Sequence, residues 1–235
     1  MRATEMTVSE EQYETAPDET ATTPLRRQAE DALRKTILSG RFRPGERLKE
    51  RELIELLDVS RTLVREALRQ VEAEGLIEIV PNRGPVVAVL TYEEAEEIYE
   101  VRGILEAQIC TGFALRAQSM HMSALESTFQ ALAEAARQGD IQQTLVLSDA
   151  FYETIAAGCG NRLLGNMLRQ LHNRIVLLRR TSLSESSRLP ETLYELTQIF
   201  EALKARDESG AGKAALHHVR QAQRAALRVL RSRQG

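Results

Sequence analysis

The 235-residue chain contains no tryptophan, and only 4% of its residues are aromatic. Sheet-rich folds draw on aromatic and β-branched side chains. Their shortage here, beside abundant Ala, Leu, Glu, Arg and Gln, favours helices. Cysteine is scarce as well: Cys110 and Cys159 lie far apart, without metal-type spacing, and read as two buried thiols in a reducing compartment. No apolar run approaches the length of a membrane span. The opening MRATEMTVSEEQYETAPDETATTP also lacks the apolar core of a signal peptide. A cytoplasmic location, with no membrane partner, is the expectation. What is present, 43% hydrophobic and 28% charged residues, suits a globular chain long enough for one large domain or two modest ones.

A net charge of −3 hides segregation along the chain. Residues 1–24 carry one Arg against six acids, residues 25–90 carry 13 Lys and Arg against 11 acids, and the remaining 145 residues carry 17 of each. Residues 1–24 therefore read as an acidic, disordered leader without periodicity, masking a mildly basic segment at 25–90.

That basic segment has a definite order of elements. Pro24 opens a helical pattern with Leu25, Ala29, Leu33, Ile37 and Leu38 on one face and Gly40 as its stop. "RFRPGERLKE" is a loop or short strand punctuated by Pro44-Gly45. "RELIELLD" is a second short helix, and Asp58-Val59-Ser60 turns into a third, with Ser60 as N-cap. After Gly75 the period becomes that of strands: LIEIV, then PNRG, then PVVAVL, a hairpin. Helix, helix, turn, helix and hairpin is the order of a winged helix-turn-helix. From Tyr92 onward no strand signal returns, and six or seven helices are expected, at roughly 92–117, 121–138, 141–157, 161–181, 189–206 and 208–232. The fold class is thus mainly α: a DNA-binding domain at 25–90, then an all-helical domain at 91–235, joined so tightly at Leu90-Thr91 that the two should move together.

On the third helix, at about 100° per residue, Leu63, Val64, Ala67, Leu68 and Val71 share one arc while Arg61, Thr62, Arg65 and Arg69 fill the opposite one. A solvated basic face is the plain alternative. Two features favour a nucleic-acid partner. The first turn is cationic, where the helix dipole disfavours cations, and the helix sits between a helix-turn unit and a hairpin tipped by Arg83. A recognition helix puts its N-terminal residues into the major groove, where Arg can grip guanine bidentately. Arg61, Thr62 and Arg65 have that placement. Ser60 can both cap and reach a phosphate, Arg51 can touch backbone or a base edge, and Arg83 and Gly84 can bring the wing to the minor groove.

These residues resemble the GntR family of bacterial regulators. "GRFRPGERLKERELIELLDVSRTLVREALRQVEAEGLIEIVPNRGPVVA" meets the family pattern of Pro-Gly, Leu-x-Glu-x-x-Leu, Ser-Arg-x-x-Val-Arg-Glu-Ala-Leu, Leu-x-x-Glu-Gly-Leu and a Gly-bearing wing. The remainder resembles the FadR-type subfamily with its FCD effector domain. "IYEVRGILEAQICTGFALRA" supplies Arg102 and Glu106, "FYETIAAGCGN" places Phe151 nine residues before Gly160, and "IFEALKARD" fits a later helix. Covering about residues 25–232, the resemblance implies a homodimeric transcription regulator on a pseudo-palindromic operator of double-stranded DNA, tuned by a small metabolite. It puts Arg51, Ser60, Arg61, Thr62, Arg65 and Gly84 at DNA-contacting positions.

The chain departs from the resemblance at the metal. Many FCD domains hold a divalent ion with one Asp and three His. The corresponding positions here are Ser148, Tyr152, Leu196 and His218, and only His218 is retained. Asp149 sits one residue off, about 100° away around its helix. One imidazole does not hold Zn²⁺ or Ni²⁺, whose sites use three or four protein ligands, so no metal cofactor is expected. The pocket can persist without it, with Ser148, Tyr152 and His218 as its floor and Arg102 or Arg174 as a fixed cation for an organic acid. The competing readings are that Tyr152 is a core residue, that Arg102 simply pairs with Glu106 on its own helix, and that ligand sensing has been lost. His121, His172 and His217 read as solvated or capping. An enzyme is disfavoured: no Glu-x-x-His pair of a di-metal bundle occurs, nor any phosphate loop or nucleophile–base arrangement. A protein–protein adaptor remains the other alternative.

Overall fold

A computed structural model describes residues 19–185 and 187–234. The leader expected at 1–24 therefore falls largely outside the described residues, but its end is helical. Helix α1 spans Glu19–Leu38, with Pro24 inside it and not at its start. Proline there lacks the N–H that would reach the carbonyl of Thr20, and its ring crowds that carbonyl, so the helix is weakest over its first turn. The helix-turn-helix follows as α2, Glu50–Leu57, and α3, Arg61–Ala73. Asp58, left-handed at φ 51°, ends α2 and turns the chain sharply into Ser60, whose hydroxyl accepts from the Leu63 N–H at 3.4 Å.

The wing is shorter than the apolar runs suggested: β1 is Ile77–Val80 and β2 is Gly84–Val87, antiparallel, with Ile77 opposite Val87 and Val80 opposite Gly84. The loop before α2 joins them. Gly45 N–H donates to the Val87 carbonyl at 2.9 Å, Leu48 N–H to that of Pro85 at 2.8 Å, and Arg47 bridges Val86. Asn82 and Gly84, both at positive φ, make the tight tip. Leu33, Ile37, Leu53, Val64, Val71 and Leu76 form a small core beneath these elements. Nothing of the arginine face of α3 takes part in it.

Thr91 and Glu94 form a reciprocal capping box that starts α4, Tyr92–Arg116, directly after the head. Five more helices complete the bundle: α5 Ser119–Arg137, α6 Ile141–Gly158, α7 Arg162–Leu183, α8 Arg188–Lys204 and α9 Glu208–Gln234. Each starts and stops within a few residues of its expected bounds. Pro190 falls in the first turn of α8, where its missing N–H is harmless. Helices α4 and α9 pack along one another at the centre. A Cβ on Gly103 would sit 3.1 Å from Leu216, and one on Gly212 2.6 Å from the Thr111 hydroxyl, so both glycines admit the close approach. Buried Phe113, Phe151, Ile155, Leu178, Ile199 and Val219 anchor this larger core. Both cysteines are free and buried within it, and burial pushes the Cys110 thiol well above its ordinary range.

The head and bundle also meet across α7. Leu177 packs into the head's core, Arg180 donates to the carbonyl of Leu38 at 3.0 Å, and Asn173 donates to Glu74 at 2.8 Å. Glu74 is at the same time held by both branches of Arg34 at 2.6 Å. The mechanical coupling expected from the short join thus runs through a second element as well.

Candidate functional site

The first candidate surface is the exposed face of α3 with the start of α2. Arg51, Arg61 and Arg65 have side chains 88%, 70% and 58% exposed, and Thr62 and Arg69 are exposed beside them. One acid organises the face. Glu50 accepts from Arg65 Nε at 2.9 Å and lies 4.0 Å from Arg61 Nε, holding both guanidinium groups on one side of α3. Its hydrogen bond raises the Arg65 pKa. Glu50 was visible in the Leu-x-Glu-x-x-Leu pattern, yet nothing in helical periodicity shows that its carboxylate crosses to the next helix. At the wing, Arg83 folds back to donate to the Gly45 carbonyl at 2.9 Å, and no atom lies within 4 Å of where a Cβ on Gly84 would be. The wing tip is therefore open to close approach.

The second is in the bundle. Ser148, Tyr152, Leu196 and His218, drawn from α6, α8 and α9, do line one cavity, with Arg179 and Ser182 of α7 and Thr192 of α8. It encloses about 20 Å³, room for roughly one water. Arg102 lies fully buried among the helices and not on the cavity wall. Its Nε donates to Glu106 at 2.7 Å, while neither Nη atom has a partner. Arg174 is not part of the pocket. It is exposed, and its guanidinium covers Gly75 at the joint with the head, 2.7 Å from where a Cβ would stand. The cation at the cavity is instead Arg179, five residues and more than a full helical turn further along α7.

Arg179 is central to an ion network the sequence did not expose. It binds Asp149, lies 3.6 Å from Glu106, and stacks 4.7 Å from the Tyr152 ring centre. On the far side, Arg188 grips Glu195 with both Nη atoms at 2.7 and 2.6 Å, and Glu195 in turn meets His218 Nδ1 at 2.7 Å. Three guanidinium groups thus face three carboxylates. Burial works against the charge on Glu106 and Glu195, but Arg102 and Arg179 around the first, and Arg188 and His218 on the second, outweigh it and hold both below the usual carboxylate range. Burial lowers the His218 pKa despite Glu195, so the imidazole is neutral at pH 7. Burial raises the Tyr152 phenol well above its usual range, and its hydroxyl has no partner. The remaining histidines are peripheral: His121 accepts from the Gln118 N–H as a cap, His217 is exposed, and His172 lies 3.9 Å from Asp149.

These residues do not fit a divalent metal. A serine, a phenol, a leucine and one imidazole already bound to Glu195 stand at the four positions, with a guanidinium beside them. Among the described residues, no cluster of three or more His, Cys, Asp or Glu could hold an ion.

A winged head that projects arginines, fixed to a helical bundle with a polar cavity, defines a ligand-responsive DNA-binding protein. Residues 25–87 match the bacterial regulatory proteins of the gntR family, and residues 97–221, more than half the chain, match the FCD domain. The chain belongs to the GntR family of transcriptional regulators, with an FCD effector domain. It is 29% identical over 197 residues to the HTH-type transcriptional regulator YdhC of Bacillus subtilis, covering 83% of this chain and 88% of that one. It is 30% identical to the Uxu operon transcriptional regulator of Escherichia coli, covering 80% of each, and 27% identical to the Galactonate operon transcriptional repressor of the same organism, covering 78% and 89%. Among solved structures, a GntR-type regulator from Rhodococcus sp. RHA1 superposes with a TM-score of 0.74 at 25% identity, over 89% of this chain and 99% of that one. Escherichia coli McbR/YncC has the same fold, with a TM-score of 0.74 at 23% identity over 90% and 99%. The protein is a DNA-binding regulator whose FCD domain takes a small-molecule effector, and not an enzyme. No helix among the described residues is long and apolar enough to cross a membrane.

The His218 environment has a consequence for pH. The native protein binds a proton there less readily than the unfolded chain, so stability falls as pH drops from the unfolded histidine value of 6.5 toward the lower native one. The groups facing the imidazole, Glu195, Arg102 and Glu106, stay charged through that window. Thermal midpoints measured from about pH 7 to about pH 5 should decline in the wild type and decline less in His218→Gln. Equal slopes would mean His218 does not titrate as described.

Proposed function

We propose that the protein acts as a homodimer on a pseudo-palindromic operator, and that an organic acid bound without metal in the helical domain resets the spacing of its two heads. Arg61, Thr62 and Arg65 read base edges in the major groove, Ser60 and Arg51 hold phosphates, and Arg83 and Gly84 bring the wing to the minor groove. Glu50 supports this reading, since a carboxylate bonded to Arg65 and 4.0 Å from Arg61 draws both guanidinium groups to one side of α3. It also repels phosphate, which suppresses binding that ignores sequence.

Dimerisation is supported by the outer face of α4. Val101, Ile104, Gln108 and Leu115 lie along it at intervals of three, four and seven, and Val101, Ile104 and Leu115 are 44%, 59% and 54% exposed. Such a seam suits the same seam on a second copy across a two-fold axis.

The observation that carries the effector reading is the set of buried donors without acceptors. Arg179 Nε and the Tyr152 hydroxyl are buried and unpaired on residues that line one small cavity, and Arg102 Nη1 and Nη2 are buried and unpaired behind its wall; orphaned donors of this kind call for ligand oxygen. Kinship with a repressor named for the galactonate operon agrees with a carboxylate. Transmission is supported by α7, where Arg179 serves the cavity and the adjacent Arg180 holds the head.

Arg65→Ala should cost about 1–3 kcal/mol of operator affinity, read by anisotropy and footprinting; a wild-type footprint would reassign the recognition helix. Ile104→Glu should shift the sedimenting species from dimer toward monomer and weaken operator binding with it, whereas an unchanged dimer would move the interface elsewhere. Elemental analysis of the purified protein should return no stoichiometric divalent metal. A full equivalent would overturn the metal-free pocket.

A further inference from the structure

Two cavities share a wall in the bundle. The inner one, floored by Ser148 and His218, is lined by buried side chains. The outer cleft between α6 and α7 is bordered by Asp149, Glu153, Arg169 and His172, whose side chains are 24–53% exposed, so solvent reaches it. Tyr152 and Arg179 line both. The stacked pair is therefore the partition, and it carries two unsatisfied polar atoms, the Tyr152 hydroxyl and Arg179 Nε.

Charge decides how anything negative passes this wall. Inside the bundle the network is balanced, three guanidinium groups against three carboxylates, with the exposed Glu191 at its rim 3.4 Å from Arg188, and an uncompensated further anion in the interior would be strongly disfavoured. An anion enters only if a resident carboxylate leaves. Glu106 is wholly buried, and Glu195 is buried and gripped by Arg188 and His218. Asp149 differs. It is 24% exposed, and its second oxygen faces His172 across 3.9 Å at the cleft. It alone of the three can turn to water at small cost and keep a neighbour when it does.

We propose that the Arg179–Asp149 pair is an exchangeable gate for a small hydroxy-carboxylate: the ligand's carboxylate enters the outer cleft and replaces Asp149 on Arg179, which opens the partition to the inner cavity. The ligand hydroxyl then reaches the Tyr152 phenol, Ser148 and the neutral His218. No covalent bond changes. Exchange of one carboxylate for another keeps the interior neutral, and release of Asp149 loosens the grip on α7 next to Arg180, the residue that holds the head. The inference rests on the effector reading above and adds to it the route, the displaced residue and the ligand class.

Sodium glycolate, the smallest such acid, is the probe, titrated into the full-length protein against sodium chloride at equal ionic strength. Thermal midpoints give the half-saturating concentration, and the Nε–H resonance of Arg179, assigned by its loss in Arg179→Lys, reports on the guanidinium. Glycolate should raise the wild-type midpoint saturably and move the Arg179 resonance. In Asp149→Asn, with the competing carboxylate gone, half-saturation should fall about tenfold. Equal or weaker binding by Asp149→Asn would overturn the gate, as would saturable binding that leaves the Arg179 resonance in place, or no saturable response in the wild type. The effector reading is judged separately, by whether any of a panel of organic acids changes operator affinity. If one does while Asp149→Asn behaves as wild type, the effector cavity stands and the gate falls.

Discussion

Burial of three arginines within one helical bundle is the constraint on which the rest of this structure depends. A guanidinium removed from water without a partner would not survive folding, and breaking one side of a buried pair costs about 3–5 kcal/mol. Arg102, Arg179 and Arg188 therefore dictate where Glu106, Asp149 and Glu195 must lie. Those six residues sit on α4, α6, α7 and α8, with His218 adding α9, so one electrostatic requirement sets the mutual placement of five helices.

The connection to DNA follows from α7 having two occupied faces. One face supplies Arg179 to the ion network. The other gives Leu177 to the head's core and Arg180 to the end of α1. Both contacts are thus made by neighbouring residues of one helix, which puts the ion network and the head joint within a single turn of each other. Next to that joint lies a cavity of about 380 Å³, lined by Ile37, Phe42, Val87 and Leu90 of the head side and by Leu177 and Leu230 of the bundle. The two domains are thus tied at a few points, with space left between them.

On the DNA-facing side the balance is subtler. Three arginines on an exposed helix would bind any polyanion, and Glu50 tempers two of them, Arg61 and Arg65. Because these side chains are more than half exposed, their pairing with Glu50 is weak in free energy. Its effect is on orientation, and phosphate or a base edge can displace it readily.

Much of this was legible before any coordinates. Every helix from α2 to α9, the hairpin and the arginine face of α3 follow from apolar periodicity, the cap Ser60, and stops such as Gly40 and Gly75. Convergence of Ser148, Tyr152 and His218 followed from spacing within the resembling segments. Four readings needed correction. Pro24 does not begin α1, the strands are shorter than their apolar runs, Arg102 is buried away from the cavity wall, and Arg174 covers Gly75 at the domain joint while Arg179 serves the cavity. The sequence by itself determined which residues form elements and which face of each is apolar, because those depend on interactions within a turn or two of the chain. Only the tertiary structure decided which charge meets which: Glu50 with Arg65 fifteen residues away, Asp149 with Arg179 thirty away, Asn173 with Glu74 ninety-nine away. Periodicity fixes the direction a side chain takes from its own helix axis, but it carries no information about which neighbouring helix will be packed there to receive it.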